Sequence, residues 1–161
     1  MTNDSKNDQK PIIAVCVSKN SSSLTALKYA CYKAKRVNFS VHIVAVMESD
    51  DFKGLLFVSD VVKENKRQEI EDHINKIIDI ASHETKIMPS ISIREGEITQ
   101  EIIDEMKNNP NYSLLVFGKS IKSMSNNTVL PKITNEIADK IKVPVVIVPD
   151  NLDDDFLKKL V

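Results

Sequence analysis

Short continuous apolar runs alternate along this chain with stretches whose apolar residues recur every three or four positions. Continuous runs are typical of buried parallel strands, and the recurrence is typical of the helices that cover them. The runs predict five strands, at residues 12–17, 41–46, 88–96, 114–118 and 143–148. Four helices are predicted between them, marked by Leu24, Leu27, Cys31 and Ala34; by Ile70, Ile74, Ile77, Ile78 and Ala81; by Ile98, Ile102, Ile103 and Met106; and by Ile133, Ile137 and Ile141.

The alternation of strands and helices predicts an α/β fold with a single open parallel sheet of five strands. Helices should cover both faces, because right-handed crossovers leave few other arrangements. We predict the flavodoxin-like strand order 3-2-1-4-5. In such a sheet a ligand binds outside the carboxyl ends of the strands, beside the switch point between the first and fourth strands.

Three segments fall outside this pattern. Residues 1–10 are almost entirely polar and are expected to form a disordered tail, so the predicted domain spans 11–149. The second tail, 150–161, starts acidic and ends with Phe156, Leu157 and Leu160, which predicts one or two amphipathic helical turns packed on a neighbour. The apolar residues 54–58 lie in the longest irregular connection, and their side chains are expected to be shielded from water. They are interpreted as a flap or a helix start on the sheet, with a partner-binding surface as the alternative.

Composition and charge narrow the class of protein. With 161 residues, 42% of them hydrophobic and 28% charged, the chain fits one globular domain. Its 22 Lys and Arg against 23 Asp and Glu leave a formal net charge of -1, which provides no basic field for a nucleic acid. The polar start lacks a secretory signal, and no apolar run approaches the ~20 residues of a membrane helix. We therefore predict a cytoplasmic protein that binds neither nucleic acid nor membrane.

The common catalytic and metal-binding patterns are missing from the sequence. The three histidines, His42, His73 and His83, share no ligand spacing, so no metal is predicted. The run Ser21–Ser23 stands where the first helix should begin and is interpreted as a helix cap. No set of Ser, His and carboxylate can be assembled from the sequence, and we predict that the protein is not an enzyme.

Several motifs together resemble a known family. They are IIAV at 12–15, Ala26-Leu27 in the first helix, Gly96 ahead of Ile102, LLVFG at 114–118 and VPVVIVP at 143–149. With every element in order over roughly residues 11–149, the chain resembles the universal stress protein family, which has the adenine nucleotide alpha hydrolase-like fold. ATP-binding members carry an Asp at the end of the first strand. After the fourth strand they carry a loop written G-x-x-G, nine residues, then G-[ST].

The resemblance places these ligand positions on Ser18, Gly118, Ile121, Pro131 and Lys132. Only Gly118 keeps the family's residue. Pro131 has no N–H to offer a phosphate, and Ile121 adds a β-branched side chain where bare backbone is needed. Ser18 brings no charge and a shorter reach than Asp. We therefore expect ordinary ATP binding to be lost, at the phosphates before the adenine.

The remaining residues of the expected nucleotide pocket are strand ends and loop lysines. They are Val15, Val46, Met47, Lys119 and Lys122. The lysines, with Lys132, are interpreted as solvated loop residues. The alternative is that they bind a different anion or a differently posed nucleotide.

The resemblance also implies a homodimer formed by antiparallel pairing of the last strand. The residues at this edge are Val143, Val145, Val146, Ile147 and Val148, an apolar edge that would otherwise be unprotected. The leading functional prediction is a non-catalytic stress-response dimer that has no cofactor and acts through protein partners. The alternative is a regulatory module that binds ATP or another adenine nucleotide. An enzyme of adenine-nucleotide chemistry is a third, weaker interpretation, because fold alone does not specify function.

Overall fold

The computed structural model describes residues 9–18, 22–48, 59–121 and 129–161. In those residues the strands are β1 (Ile12–Val17), β2 (Ser40–Glu48), β3 (Ser90–Gly96), β4 (Tyr112–Lys119) and β5 (Val145–Pro149). The helices are α1 (Ser22–Val37), α2 (Asp60–Thr85), α3 (Ile98–Asn108), α4 (Val129–Lys132) and α5 (Asp154–Leu160). A π-helical turn, Ile133–Ile137, continues α4.

The described strands form one parallel sheet in the order β3-β2-β1-β4-β5, which confirms the predicted fold. β1 is central, with Val15 opposite Ile43 of β2 and Val116 of β4. The chain moves from β1 towards one edge through β2 and returns to the other side at β4. The switch point therefore lies at the carboxyl ends of β1 and β4.

Helices cover both faces of the sheet, as predicted. Val15 and Ile43 point towards α1 and α2 and belong to one apolar cluster. Ala14, Val44 and Leu115 point towards α3 and the π-helical turn and belong to a second cluster. Successive side chains of a strand face opposite sides, so neighbouring residues enter different clusters.

The long helix α2 shows how the apolar pattern becomes structure. The side chain of Ser59 accepts a hydrogen bond from the Val62 N–H at 3.3 Å and caps the first turn. Lys86, in the left-handed conformation at φ 62°, ends the helix. The five apolar residues that predict this helix are all buried: Ile70, Ile74, Ile77, Ile78 and Ala81.

The fourth helix and the last strand differ from their predicted bounds. The helix predicted over Ile133, Ile137 and Ile141 is a short α4 followed by a π-helical turn, in which the Ala138 N–H donates to the Ile133 carbonyl at 3.0 Å. Ile141 is still buried, beyond the helix. The strand predicted from residue 143 begins at Val145, because Pro144 has no N–H and contributes only its carbonyl, which accepts from the Leu115 N–H at 3.0 Å.

The third strand begins later than predicted, whereas the C-terminal residues form the predicted short helix. β3 begins only after Pro89, and Met88, used to predict it, is 73% exposed. α5 confirms the amphipathic pattern, with Leu157 fully buried against the α1 and α2 side and Phe156 and Leu160 exposed. None of the described helices is long and apolar enough to cross a membrane. The apolar 54–58 segment and residues 1–8 lie outside the described residues.

Candidate functional site

The carboxyl edge of the sheet holds several of the residues predicted to bind a nucleotide. Cys16 of β1 lies opposite Phe117 of β4, so Ser18 and Gly118 lie near each other where these strands end. Lys119 is the last residue of β4 and Ile121 lies two residues further on; both are exposed. Lys122 lies outside the described residues.

Ser18 is tied to the start of α1. Its backbone N–H donates to the Ser23 hydroxyl at 3.1 Å, and the same hydroxyl donates to the Ser18 carbonyl at 3.0 Å. Ser23 is only 2% exposed. Ser23 therefore fixes the residue that follows β1. Ser21, which directly precedes α1, lies outside the described residues, so the helix cap stays a prediction.

The backbone group at the second glycine position already has a partner from the same chain. The Ile121 N–H donates to a carboxylate oxygen of Asp150 at 3.0 Å, and the Asp150 N–H donates to the Lys119 carbonyl at 2.9 Å. Asp150 therefore fastens the loop after β4 to the end of β5. The sequence analysis missed this residue, although its position directly after the last strand places it at the same edge.

A second carboxylate forms an ion pair with Lys132, the lysine at the end of the predicted loop. Lys132 Nζ lies 3.2 Å from Glu97 Oε1, while the other oxygen of Glu97 accepts from the Gln100 N–H at 2.9 Å and caps α3. Burial raises the pKa of Glu97, but the N–H groups of Gln100 and Thr99 and the ammonium of Lys132 together hold it below its ordinary value. The hydrogen bond to Glu97 raises the pKa of Lys132, so the pair is ionised.

The strand-end residues of the predicted pocket do not share one surface. Val15 is fully buried and Met47 is 3% exposed, and both pack in the cluster with α1 and α2. Val46 packs on the opposite face, with α3. Pro131 is exposed in α4. The structure thus brings the polar and loop positions to one edge but divides the apolar positions between two faces.

A polar network that was not predicted lies between α3 and the sheet. His42 Nδ1 lies 2.7 Å from the Ser90 hydroxyl, and its Nε2 lies 3.0 Å from the Ser92 hydroxyl and 3.5 Å from Glu105 Oε1. The structure therefore brings together serine, histidine and carboxylate side chains, a set that could not be assembled from the sequence. The signal was the pairing of β2 with β3, which places His42 opposite Ser90.

Glu105 is the centre of this network. It accepts from Arg94 at 3.0 Å and from the Tyr112 hydroxyl at 2.7 Å, and Arg94 also donates to Glu101 at 2.7 Å. Burial lowers the pKa of His42, and Glu105 offsets part of this effect. In the described part of the chain, no group of three or more His, Cys, Asp or Glu side chains could hold a metal ion.

The sheet order and the switch point at β1 and β4 define a doubly wound α/β domain of the type that holds ligands at its carboxyl edge. The model of the universal stress protein family matches residues 11–149, and the chain belongs to this family. No curated protein shows a significant match to the chain.

Solved structures with the same fold come from distant relatives. A universal stress protein family member from Burkholderia pseudomallei is 15% identical, with a TM-score of 0.65 over 87% of this chain and 96% of that one. The Archaeoglobus fulgidus universal stress protein in complex with dAMP is 14% identical, with a TM-score of 0.59 over 86% and 97% of the two chains. A family protein from Arabidopsis thaliana with AMP bound is 18% identical, with a TM-score of 0.53 over 89% and 94%.

Proposed function

We propose that this chain is a non-catalytic universal stress protein that acts as a homodimer through protein partners and does not bind ATP in the usual way. The proposal rests chiefly on the Ile121 N–H, which donates to the Asp150 carboxylate at 3.0 Å. An N–H held by a carboxylate of its own chain is not available to a phosphate oxygen, and the carboxylate repels one.

The charges at the same edge support this interpretation. Lys132 is paired with Glu97, and Glu48 stands at the end of β2, at the same edge of the sheet. Three carboxylates, those of Glu48, Glu97 and Asp150, therefore lie at an edge where a triphosphate would bring additional negative charge. Electrostatic repulsion in a partly desolvated site opposes such a ligand.

Calorimetric titration with ATP, ADP and AMP tests the nucleotide part of the proposal. We expect flat titrations with all three ligands. Stoichiometric, tight ATP binding would overturn the proposal and would make the chain a nucleotide-dependent module.

The proposed homodimer uses the free edge of β5, which pairs only with β4 among the described strands. Ile147 is 38% exposed there, whereas Val148 is 2% exposed. An apolar side chain on an unpaired edge favours addition of a second strand.

Light scattering should give a dimer mass for the wild type and a monomer mass for Ile147→Lys. The matched control is Ile80→Lys on α2, where Ile80 is 45% exposed, and it should stay dimeric. A wild-type monomer at micromolar concentration would contradict the dimer.

The second candidate function is a regulatory module that binds an adenine nucleotide. It is favoured by the relatives whose structures contain dAMP or AMP, ligands with a single phosphate. If Asp150 competes with that phosphate, AMP should bind Asp150→Ala more tightly than it binds the wild type. The matched control is Asp155→Ala on exposed α5, which should leave AMP affinity unchanged. Flat AMP titrations for the wild type and for Asp150→Ala would exclude this candidate.

A further inference from the structure

A cavity of about 420 Å³ lies at the amino end of the sheet, opposite the edge described above. It opens between the end of α3, the start of β4 and the residues that precede β5. Tyr112 and Val143 contribute to it from the sheet side, and Met106 and Ile141 contribute from the helical layer. This volume falls within the range of small-molecule sites.

The floor of the cavity is apolar. Met106, Tyr112 and Ile141 are each less than a tenth exposed, so they are held firmly by the core of the α3 face. The hydroxyl of Tyr112 is engaged by Glu105, so its ring is the part available to a ligand. A rigid apolar floor favours an apolar ligand body, because binding displaces water without ordering side chains.

The rim of the cavity is cationic. Lys107, Lys140 and Lys142 line it and are exposed, and none of the described lining residues is acidic. The side chain of none of these lysines has a hydrogen bond or an ion pair with another described residue. This differs from Lys28, Lys63 and Lys132, each of which is paired with a carboxylate. Three unpaired cations around an apolar floor complement an anion attached to an apolar body.

We propose that this cavity is a binding site for a small anion with an apolar body, of the acyl or aryl carboxylate class. The lysines hold the carboxylate, and the Tyr112 and Ile141 surface receives the apolar part. The site is separate from the carboxyl edge and uses neither the loop after β4 nor any residue of β5. Val143, which the sequence analysis placed at the dimer edge, lies before β5 and lines the cavity.

The test is a titration of the full chain with octanoate, octanamide and acetate, followed by calorimetry and by amide chemical shifts. Octanoate should bind one site and shift the amides of Ile141 and Val143. Octanamide lacks the charge and acetate lacks the apolar body, so each should bind at least about tenfold more weakly. Raising the salt concentration should weaken octanoate binding, because the lysines are exposed.

Variants that remove positive charge from the rim show whether octanoate binds at this cavity. The double variant Lys140→Gln/Lys142→Gln should lose about tenfold in octanoate affinity. The matched control, Lys76→Gln/Lys159→Gln, makes the same change in net charge at two exposed positions and should bind as the wild type does. Absence of octanoate binding at millimolar concentration would overturn the proposal. So would equal losses in the two double variants, or amide shifts confined to the carboxyl edge.

Discussion

The two ends of the sheet differ in whether the groups that could bind an anion are paired with carboxylates of the same chain. At the carboxyl end, where the fold places its ligand, the Ile121 N–H and the Lys132 ammonium are held by Asp150 and Glu97. At the amino end, the rim lysines, represented by Lys140, have no partner among the described residues and surround an apolar floor. Carboxylates therefore engage the Ile121 N–H and Lys132 at the expected site, although exposed Lys119 has no side-chain partner among the described residues. At the other end, none of the three rim lysines has such a partner.

This difference shows that a fold determines where a site can form but not whether the site is kept. A parallel sheet provides loops at its carboxyl edge in every member of the class, yet in this chain Asp150 and Glu97 engage the Ile121 N–H and the Lys132 ammonium. The comparison can be tested by changing equivalent residue types at the two ends.

The largest expected effect contrasts two isoleucines. Ile141, at the amino-end cavity, is 4% exposed, and Ile121, in the loop at the carboxyl end, is 48% exposed. Ile141→Ala should lower the free energy of unfolding by about 2–5 kcal/mol, because it removes buried methyl groups and leaves a cavity. Ile121→Ala should change it by less than about 0.5 kcal/mol. Urea unfolding followed by circular dichroism measures both, and equal losses would contradict the contrast.

The next largest effect on the free energy of unfolding is expected from removing the hydroxyl of Tyr112, which lines the amino-end cavity. Tyr112→Phe removes a 2.7 Å hydrogen bond to the Glu105 side chain, and the free energy of unfolding should fall by about 1.5–3 kcal/mol. Tyr29→Phe is the matched control, because the Tyr29 hydroxyl has no hydrogen bond with another described residue. The two variants are compared in the same urea unfolding experiment, and a Tyr112→Phe protein as stable as the control would show that the network adds no stability.

A smaller effect is expected at the carboxyl end. Ser23→Ala removes both hydrogen bonds to the Ser18 backbone, at 3.1 and 3.0 Å, and should cost about 1–2 kcal/mol. Exposed Ser40, which makes no side-chain hydrogen bond to a described residue, supplies the control Ser40→Ala. Thermal or urea unfolding distinguishes the two variants. A loss at Ser23 larger than the loss at Tyr112 would reverse the ranking of the two ends.

The smallest expected effect is a pH dependence. The pKa of folded His42 lies below its ordinary value of 6.5, so His42 contributes stability that is complete above 6.5 and is lost as the pH falls through the folded pKa. The wild type should therefore lose stability relative to His42→Gln as the pH falls below 6.5 and through the lowered pKa of folded His42. The facing groups, Ser90, Ser92 and Glu105, are unchanged in this comparison. A wild type that gains stability relative to the variant on acidification would contradict the sign.

Local patterns predicted most of the fold correctly. The isoleucines of α2 recur at helical spacing and are buried together, and the β-branched run of β1 is the centre of the sheet. The errors occur where a local rule was overridden. Pro144 removes a donor and delays β5, and the π-helical turn after α4 lets Ile133 and Ile137 face the sheet while the chain leaves the helix before Ile141.

The candidate site was less predictable than the fold. Counting along the sequence selected Ile121 and Lys132 as candidate positions, but their partners Asp150 and Glu97 are 29 and 35 residues away in the chain. The same holds for the network of His42, whose contact with Ser90 spans 48 residues. Such contacts depend on which strands are neighbours, and periodicity contains no information about side chains on different elements.

The sequence by itself determined the order of strands and helices and the family, because these follow from residue type and local spacing. It also predicts the loss of two glycines and one donor from the phosphate loop, which stays a prediction. Only the tertiary structure decided which carboxylates hold the loop and which lysines remain without partners. The reason is that ion pairs and hydrogen bonds form over about 3 Å, and only folding brings residues so far apart in the chain within that distance.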